Sequence, residues 1–130
     1  MHYLFVYGTL RRTADHVMHQ VLKNQAEWVS EGSVPGKLYL VDWYPAFVPA
    51  SQQDERVLGE VYFLMSPEKT FAELDPYEGY YPDDEAHSDY LRQQNTIQLN
   101  DGSTVTAWIY VYNLPVIGLP QITSGDFMKR

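Results

Sequence analysis

The chain has 130 residues, with 45% hydrophobic and 20% charged side chains and a net charge of −8. That composition describes one soluble domain with a sizeable core. The charge argues against a nucleic-acid backbone as partner, since binding phosphates depends on Lys and Arg. No cysteine is present, which excludes disulfides, thiolate catalysis and cysteine metal sites. The apolar runs are too short to span a bilayer and no secretory signal pattern opens the chain, so no membrane partner is expected and the expected location is cytoplasmic.

In chain order, His2 to Val6 reads as a buried strand. Gly8 follows, where the backbone can turn sharply or approach a ligand closely. Thr13 to Gln25 carries Ala14, Val17, Met18, Val21 and Leu22 at helical spacing, with Thr13 as N-cap. Trp28 to Val34 and Lys37 to Val41 are expected as two paired strands turning at Pro35-Gly36. Tyr44 to Pro49 is a short extended piece, and Val57 to Met65 a strand interrupted at Gly59. Ser66-Pro67-Glu68 opens a helix with a capping serine, proline at the first position and an acidic first turn. The helix should run to about Leu74 and stop before Pro76. Tyr90 to Leu99 and Thr104 to Tyr112 form a hairpin through Asn100-Asp101-Gly102-Ser103. Ile117 to Phe127 is expected as a loop with a short terminal strand or helix. Strands mixed with a few short helices, without regular βαβ alternation, give an α+β class.

Two segments carry chemistry. In Tyr7-Gly8-Thr9-Leu10-Arg11, the amides of Gly8, Thr9 and Leu10 are free to converge on an anion. In Leu74-Asp75-Pro76-Tyr77-Glu78-Gly79-Tyr80, Glu78 lies among Pro76, Tyr77, Tyr80 and Tyr81, which can partly desolvate it and raise its pKa. Asp75 reads as a helix-end or turn residue and Arg92 as an exposed strand residue. Glu60, beside Gly59, is a second candidate for binding if it faces a pocket. His16 and His19 are spaced i,i+3 on a helix but lack an acidic third ligand, so they read as helix surface. Ser124-Gly125-Asp126 lacks the flanks of a nucleophile elbow, and no phosphate-binding glycine loop is present.

The two segments together resemble the γ-glutamylcyclotransferase-like superfamily, especially its γ-glutamylamine cyclotransferase, AIG2-like members. Further blocks follow in the family's order: Gly36-Lys37-Leu38-Tyr39 with Tyr44-Pro45-Ala46, Val57-Leu58-Gly59-Glu60-Val61-Tyr62, Tyr90-Leu91-Arg92, Ala107-Trp108-Ile109-Tyr110 and Ser124-Gly125-Asp126. The resemblance implies a small mixed β-barrel of about six or seven strands with two or three flanking helices. It implies a substrate that is a γ-glutamyl-amine or γ-glutamyl-peptide, released as 5-oxoproline and an amine without a cofactor or metal. Glu78 is then the general acid/base; Tyr7, Gly8, Thr9 and Leu10 form the substrate loop, and Tyr90 lines the pocket. A non-catalytic metabolite-binding module and an amide hydrolase or deacylase using the same pocket are the alternatives. The chain departs from compact members in the long acidic stretch after Gly79, where Asp83-Asp84-Glu85 is a specificity element biasing the leaving group toward cationic amines, an ordered lid or plain surface.

Overall fold

A computed structural model describes residues 2–12, 18–50 and 54–130. The elements are β1 (Tyr3–Val6), α1 (Met18–Gln25), β2 (Ala26–Val41), β3 (Tyr44–Pro49), β4 (Arg56–Leu64), α2 (Pro67–Glu78), β5 (Tyr90–Leu99) and β6 (Thr104–Tyr112). Single 3₁₀ turns cover Glu85–His87 and Phe127–Lys129. The six strands are ordered β3-β2-β4-β1-β6-β5. Pairing of Gly32 with Leu99 and Ser33 with Gln98 joins β2 to β5. This closes β2-β4-β1-β6-β5 into a five-strand barrel, and β3 is an extra strand on the far half of β2. The β1–β6 pairing is parallel and the others are antiparallel. The α+β class and the barrel agree with expectation, with six strands and two α-helices among the described residues. None of the described helices is long and apolar enough to cross a membrane.

β1 is only four residues long but lies in the middle of the sheet, buried on both sides. Phe5 and Tyr7 join Val34, Val57, Val61, Ile97 and Ile109 inside the barrel. Leu4 and Val6 face outward onto Leu22 of α1 and Phe71 and Leu74 of α2. Period-two alternation with both faces covered is why the run Tyr3-Leu4-Phe5-Val6 is continuously apolar. Burying Leu4 and Phe5 completely contributes about 1.5–3 kcal/mol each.

Three boundaries differ from the sequence expectation. Pro35-Gly36 is not a turn: β2 runs through it, and the chain reverses at Asp42-Trp43, where Asp42 has φ 55°. The dipeptide marks a change of partner instead. Pro35 is the last residue of β2 paired with β4, and Gly36 the first paired with β3. Gly36 is required because a Cβ there would sit 2.5 Å from the buried Phe47 ring and 2.6 Å from the Val48 carbonyl. Likewise β4 is not interrupted at Gly59; the missing side chain lets Val6 and Phe5 pack against the strand. Finally, α2 continues past Leu74 and contains Pro76. A proline in the last turn forfeits a single hydrogen bond, and the helix then ends in a Schellman arrangement. Gly79, at φ 72°, donates to the Pro76 carbonyl (3.1 Å), and the Tyr80 amide donates to the Asp75 carbonyl (2.8 Å). Ser66 makes no side-chain cap, although Pro67 does open the helix. Thr13 and the expected first turn of α1 lie outside the described residues.

Replacing Gly36 by Ala is expected to lower stability by about 1–3 kcal/mol. Urea denaturation measures it. A near-neutral effect would be that of an open turn and would contradict the mid-strand assignment.

Candidate functional site

The barrel delivers the end of β1 to the rim of a cavity of about 350 Å³. Tyr7 to Leu10 line one side, Pro76 to Gly79 another, and Trp43, Tyr44, Pro45, Tyr81, Asp89, Tyr90 and Tyr110 complete the wall. Residues far apart in sequence, Tyr7 to Leu10 and Glu78, are therefore brought together with Tyr90.

The loop after β1 is held at several points. A turn is closed by the Arg11 amide donating to the Gly8 carbonyl (3.0 Å). The Arg12 amide donates to Glu60 Oε1 (3.0 Å), and Arg11 Nη1 donates to Asp126 Oδ1 (2.7 Å). His19 Nδ1 lies 2.8 Å from the Leu10 carbonyl, and Thr9 Oγ1 lies 2.7 Å from the Tyr77 hydroxyl on α2. Among the described residues, nothing accepts a hydrogen bond from the amides of Gly8, Thr9 and Leu10. Gly8 passes close to Pro45: a Cβ there would lie 2.6 Å from its ring.

Glu60, expected as a second binding residue, does not line the cavity. It is 1% exposed and faces the loop from behind, with the Tyr62 hydroxyl donating to it (3.0 Å) and Arg11 and Arg12 at 3.8 and 3.9 Å. It holds the loop, because a buried carboxylate requires cations and donors: Arg11 and Arg12 supply the cations, and the Arg12 amide joins the Tyr62 hydroxyl as donor. Asp126, from the Ser124-Gly125-Asp126 block, does the same from the chain's far end. Gly125, at φ 72°, lets that block run against β4, where its carbonyl accepts from the Leu58 amide (2.8 Å).

Glu78 is half-buried at the cavity wall, and among the described residues no hydrogen bond or ion pair holds its carboxylate. Its pKa is pushed up from 4.5 to about 8, first by desolvation and then by the negative charge of Asp75. The C-terminal end of α2 acts in the same direction through its partial negative charge. Asp75 lies in the last turn of α2, the helix-end position that the sequence suggests, but Arg92 is not an exposed strand residue. Asp75 is 7% exposed and accepts from Arg92 Nε (3.0 Å), Arg92 Nη2 (3.2 Å) and the Tyr110 hydroxyl (2.7 Å). Arg92 in turn stacks 3.8 Å from the Phe71 ring centre and 4.8 Å from that of Trp108. The sequence does not report this pairing because the partners are on different elements. Tyr110 was missed as a site residue, although it lies in the quoted Ala107-Trp108-Ile109-Tyr110 block.

The phenols of Tyr7, Tyr90 and Tyr110 are all pushed up by burial and remain neutral donors. Tyr7 donates to the Tyr110 carbonyl (2.6 Å) and Tyr90 to the Pro45 carbonyl (2.7 Å). They fix the wall rather than titrate. The expected acidic element is displaced: Asp83, Asp84 and Glu85 are exposed and do not line the cavity, whereas Asp89 does. His16 lies outside the described residues, and His19 holds the loop. Among the described residues no three His, Asp or Glu side chains are grouped to hold a metal ion.

A family model described as "Gamma-glutamyl cyclotransferase, AIG2-like" matches residues 4–129. The chain belongs to this family. The gamma-glutamylcyclotransferase family protein YtfP of Escherichia coli K12 is 34% identical over 134 residues, covering 98% of this chain and 96% of its own. Its solution structure superposes with a TM-score of 0.64, covering 98% of this chain and 97% of that one. The crystal structure of Bacillus subtilis YkqA gives a TM-score of 0.71 at 25% identity, over 96% of this chain but only 39% of YkqA. An AIG2-like protein from Mus musculus shares the fold at 22% identity, with a TM-score of 0.65 over 92% of this chain and 84% of that one. Two of the blocks that resembled the AIG2-like family, around Glu60 and Asp126, thus serve the loop from outside the cavity.

The raised pKa of Glu78 predicts a pH-dependent stability. The folded state keeps its proton up to about pH 8, whereas the unfolded chain releases it near the ordinary carboxyl value. Stability attributable to Glu78 therefore falls as pH rises from about 4.5 to 8 and is level outside that window, a loss on the order of 5 kcal/mol at most. Denaturant titrations of wild type and Glu78→Gln at pH 5 and 8.5 should show the variant gaining on wild type at the higher pH. A difference independent of pH would mean that Glu78 is solvated.

Proposed function

We propose that this protein is a cyclotransferase that converts γ-glutamyl-amines or γ-glutamyl-peptides into 5-oxoproline and a free amine, with Glu78 as general acid and base. The observation that carries the reading is Glu78 itself: a desolvated carboxyl that has no partner among the described residues, across a shared cavity from three loop amides that donate to none of them. The family to which the chain belongs supports the γ-glutamyl specificity.

In this mechanism the substrate's α-nitrogen attacks its own γ-carbonyl carbon. The bond from that carbon to the leaving nitrogen breaks, and no water is consumed. Two protons pass from the α-nitrogen to the leaving nitrogen, one at a time, by way of Glu78. A pKa near the working pH suits a group that must both accept and donate. The amides of Gly8, Thr9 and Leu10 hold the α-carboxylate or polarise the γ-carbonyl, as oxyanion donors do. The tyrosine walls fold the glutamyl chain toward the ring-closing geometry, so much of the entropic cost is met on binding.

The test is incubation with γ-glutamyl compounds in ¹⁸O-water, followed by mass spectrometry. Cyclisation yields 5-oxoproline free of ¹⁸O; hydrolysis yields glutamate carrying it and overturns the reading. Glu78→Gln should lower turnover by about 10²–10⁴-fold while the protein stays folded. For wild type, kcat/KM should rise with pH through about 8. Asp75→Asn removes the negative charge that disfavours ionised Glu78, so this limb moves to lower pH; an unmoved limb would separate Asp75 from the proton transfer. Gly8→Val places a branched side chain against Pro45 in the loop. Calorimetric titration of the folded variant with 5-oxoproline should show binding lost, and retained affinity would exclude the loop from the site.

A further inference from the structure

We propose that a second groove, between α2 and the β5–β6 hairpin, binds a free α-amino acid with an apolar side chain: Arg92 and Lys69 take its carboxylate, Glu68 its ammonium group, and Phe71 and Trp108 its side chain. The inference is independent of the function given to the cavity that holds Glu78, because no residue lines both.

The first observation is the groove and its floor. It has a volume of about 810 Å³ and is lined by one face of α2 together with Arg92 of β5, Trp108 of β6 and His2. The floor is aromatic. The Phe71 and Trp108 rings meet edge to face with centres 6.1 Å apart, and the Arg92 guanidinium lies 3.8 and 4.8 Å from those centres. Pro67 and Ala72 extend the apolar lining. Such a surface favours an apolar side chain over a polar one.

The second observation is that charged groups of both signs are left unengaged there. Glu68 and Lys69 are exposed and form no hydrogen bond or ion pair among the described residues. Arg92 gives Nε and Nη2 to Asp75 (3.0 and 3.2 Å). Its Nη1 donates to none of the described residues and is not sealed from solvent, so it can make a charge-assisted bond to a carboxylate. Asp75, the other carboxylate of the groove, is taken up by Arg92 and the Tyr110 hydroxyl. His2 Nδ1 lies 3.4 Å from Trp108 Nε1.

The third observation is the spacing of these charges. Glu68 and Lys69 are consecutive, with Cα atoms about 3.8 Å apart. Neighbours at this spacing on a helix do not face each other, so their charges are left for a third party. An α-amino acid carries its ammonium and carboxylate on a single carbon, and two close charges of opposite sign match it. With His2 neutral, the formal charges of the groove cancel, Arg92 and Lys69 against Asp75 and Glu68. A simple anion would meet Glu68 with nothing to offset it, and a simple cation would meet Lys69 and Arg92. Selection therefore works by repulsion as well as attraction.

The experiment is an NMR titration of the ¹⁵N-labelled protein with L-phenylalanine and three analogues. 3-Phenylpropanoate lacks the ammonium group, phenethylamine the carboxylate and L-alanine the ring. We expect L-phenylalanine to shift the Trp108 indole N–H and the Lys69 and Phe71 amides, and to leave the Gly8 and Thr9 amides in place. Each analogue with a single charge should bind about twofold to fivefold more weakly, the size of an exposed ion pair, and L-alanine most weakly. High salt should narrow the differences between the charged probes. Glu68→Gln and Lys69→Gln alter exposed side chains and keep the fold. Each should weaken L-phenylalanine by about the same twofold to fivefold, and Glu68→Gln should not weaken 3-phenylpropanoate. Equal affinities for L-phenylalanine and its two singly charged analogues overturn the assignment of a zwitterion. Undiminished binding in both variants overturns the parts given to Glu68 and Lys69. Shifts confined to the loop after β1, or no shifts at all, overturn the site.

Discussion

A carboxyl that no cation meets among the described residues is the constraint around which the site is organised. Glu78 stands at the last turn of α2, where the helix end contributes partial negative charge and Asp75 a full one. Every nearby arginine is committed to another carboxylate: Arg92 to Asp75, Arg11 to Asp126, and both Arg11 and Arg12 to Glu60. Glu78 is therefore costly to ionise. That cost disfavours folding at alkaline pH, and in the proposed mechanism it is what lets Glu78 carry a proton at neutral pH. The buried Asp75 is surrounded by donors from Arg92 and Tyr110, and its negative charge adds to the rise of the Glu78 pKa.

The rest of the fold holds a loop opposite that carboxyl. A short central strand, covered on both faces, ends at the cavity rim. The residues after it are fixed by side chains from α1, β4 and the C-terminal segment, namely His19, Glu60 and Asp126. These contacts hold the Leu10 carbonyl, the Arg12 amide and the Arg11 side chain, and among the described residues nothing takes up the Gly8, Thr9 and Leu10 amides. Oriented donors fixed before substrate arrives need no reorganisation during reaction, which is where such groups gain their effect.

Much of this was legible in the sequence. The apolar run of β1, the β5–β6 hairpin, and the pairing of the Tyr7 to Leu10 loop with Glu78 followed from periodicity, turn residues and family resemblance. What escaped has a common physical cause. Pro35-Gly36 and Pro76 are local breakers whose effect was overridden by tertiary pairing: one admits Phe47 to a continuous strand, and the other loses a bond in a turn that Gly79 closes anyway. Asp75, Arg92 and Glu60 owe their roles to partners on other elements, which local patterns do not report. The acidic run Asp83-Asp84-Glu85, conspicuous in the sequence, is exposed away from the cavity, and Asp89, one isolated residue, is the one that reaches it.

The central claim is that Glu78 is protonated at neutral pH because the fold withholds water and cations from it. Infrared difference spectroscopy of wild type against Glu78→Gln tests this directly, by following the carbonyl stretch of a protonated carboxyl as pH is raised. The account predicts that this band is present at pH 7 and disappears with a midpoint near 8. A midpoint near the ordinary carboxyl value of 4.5 would contradict it.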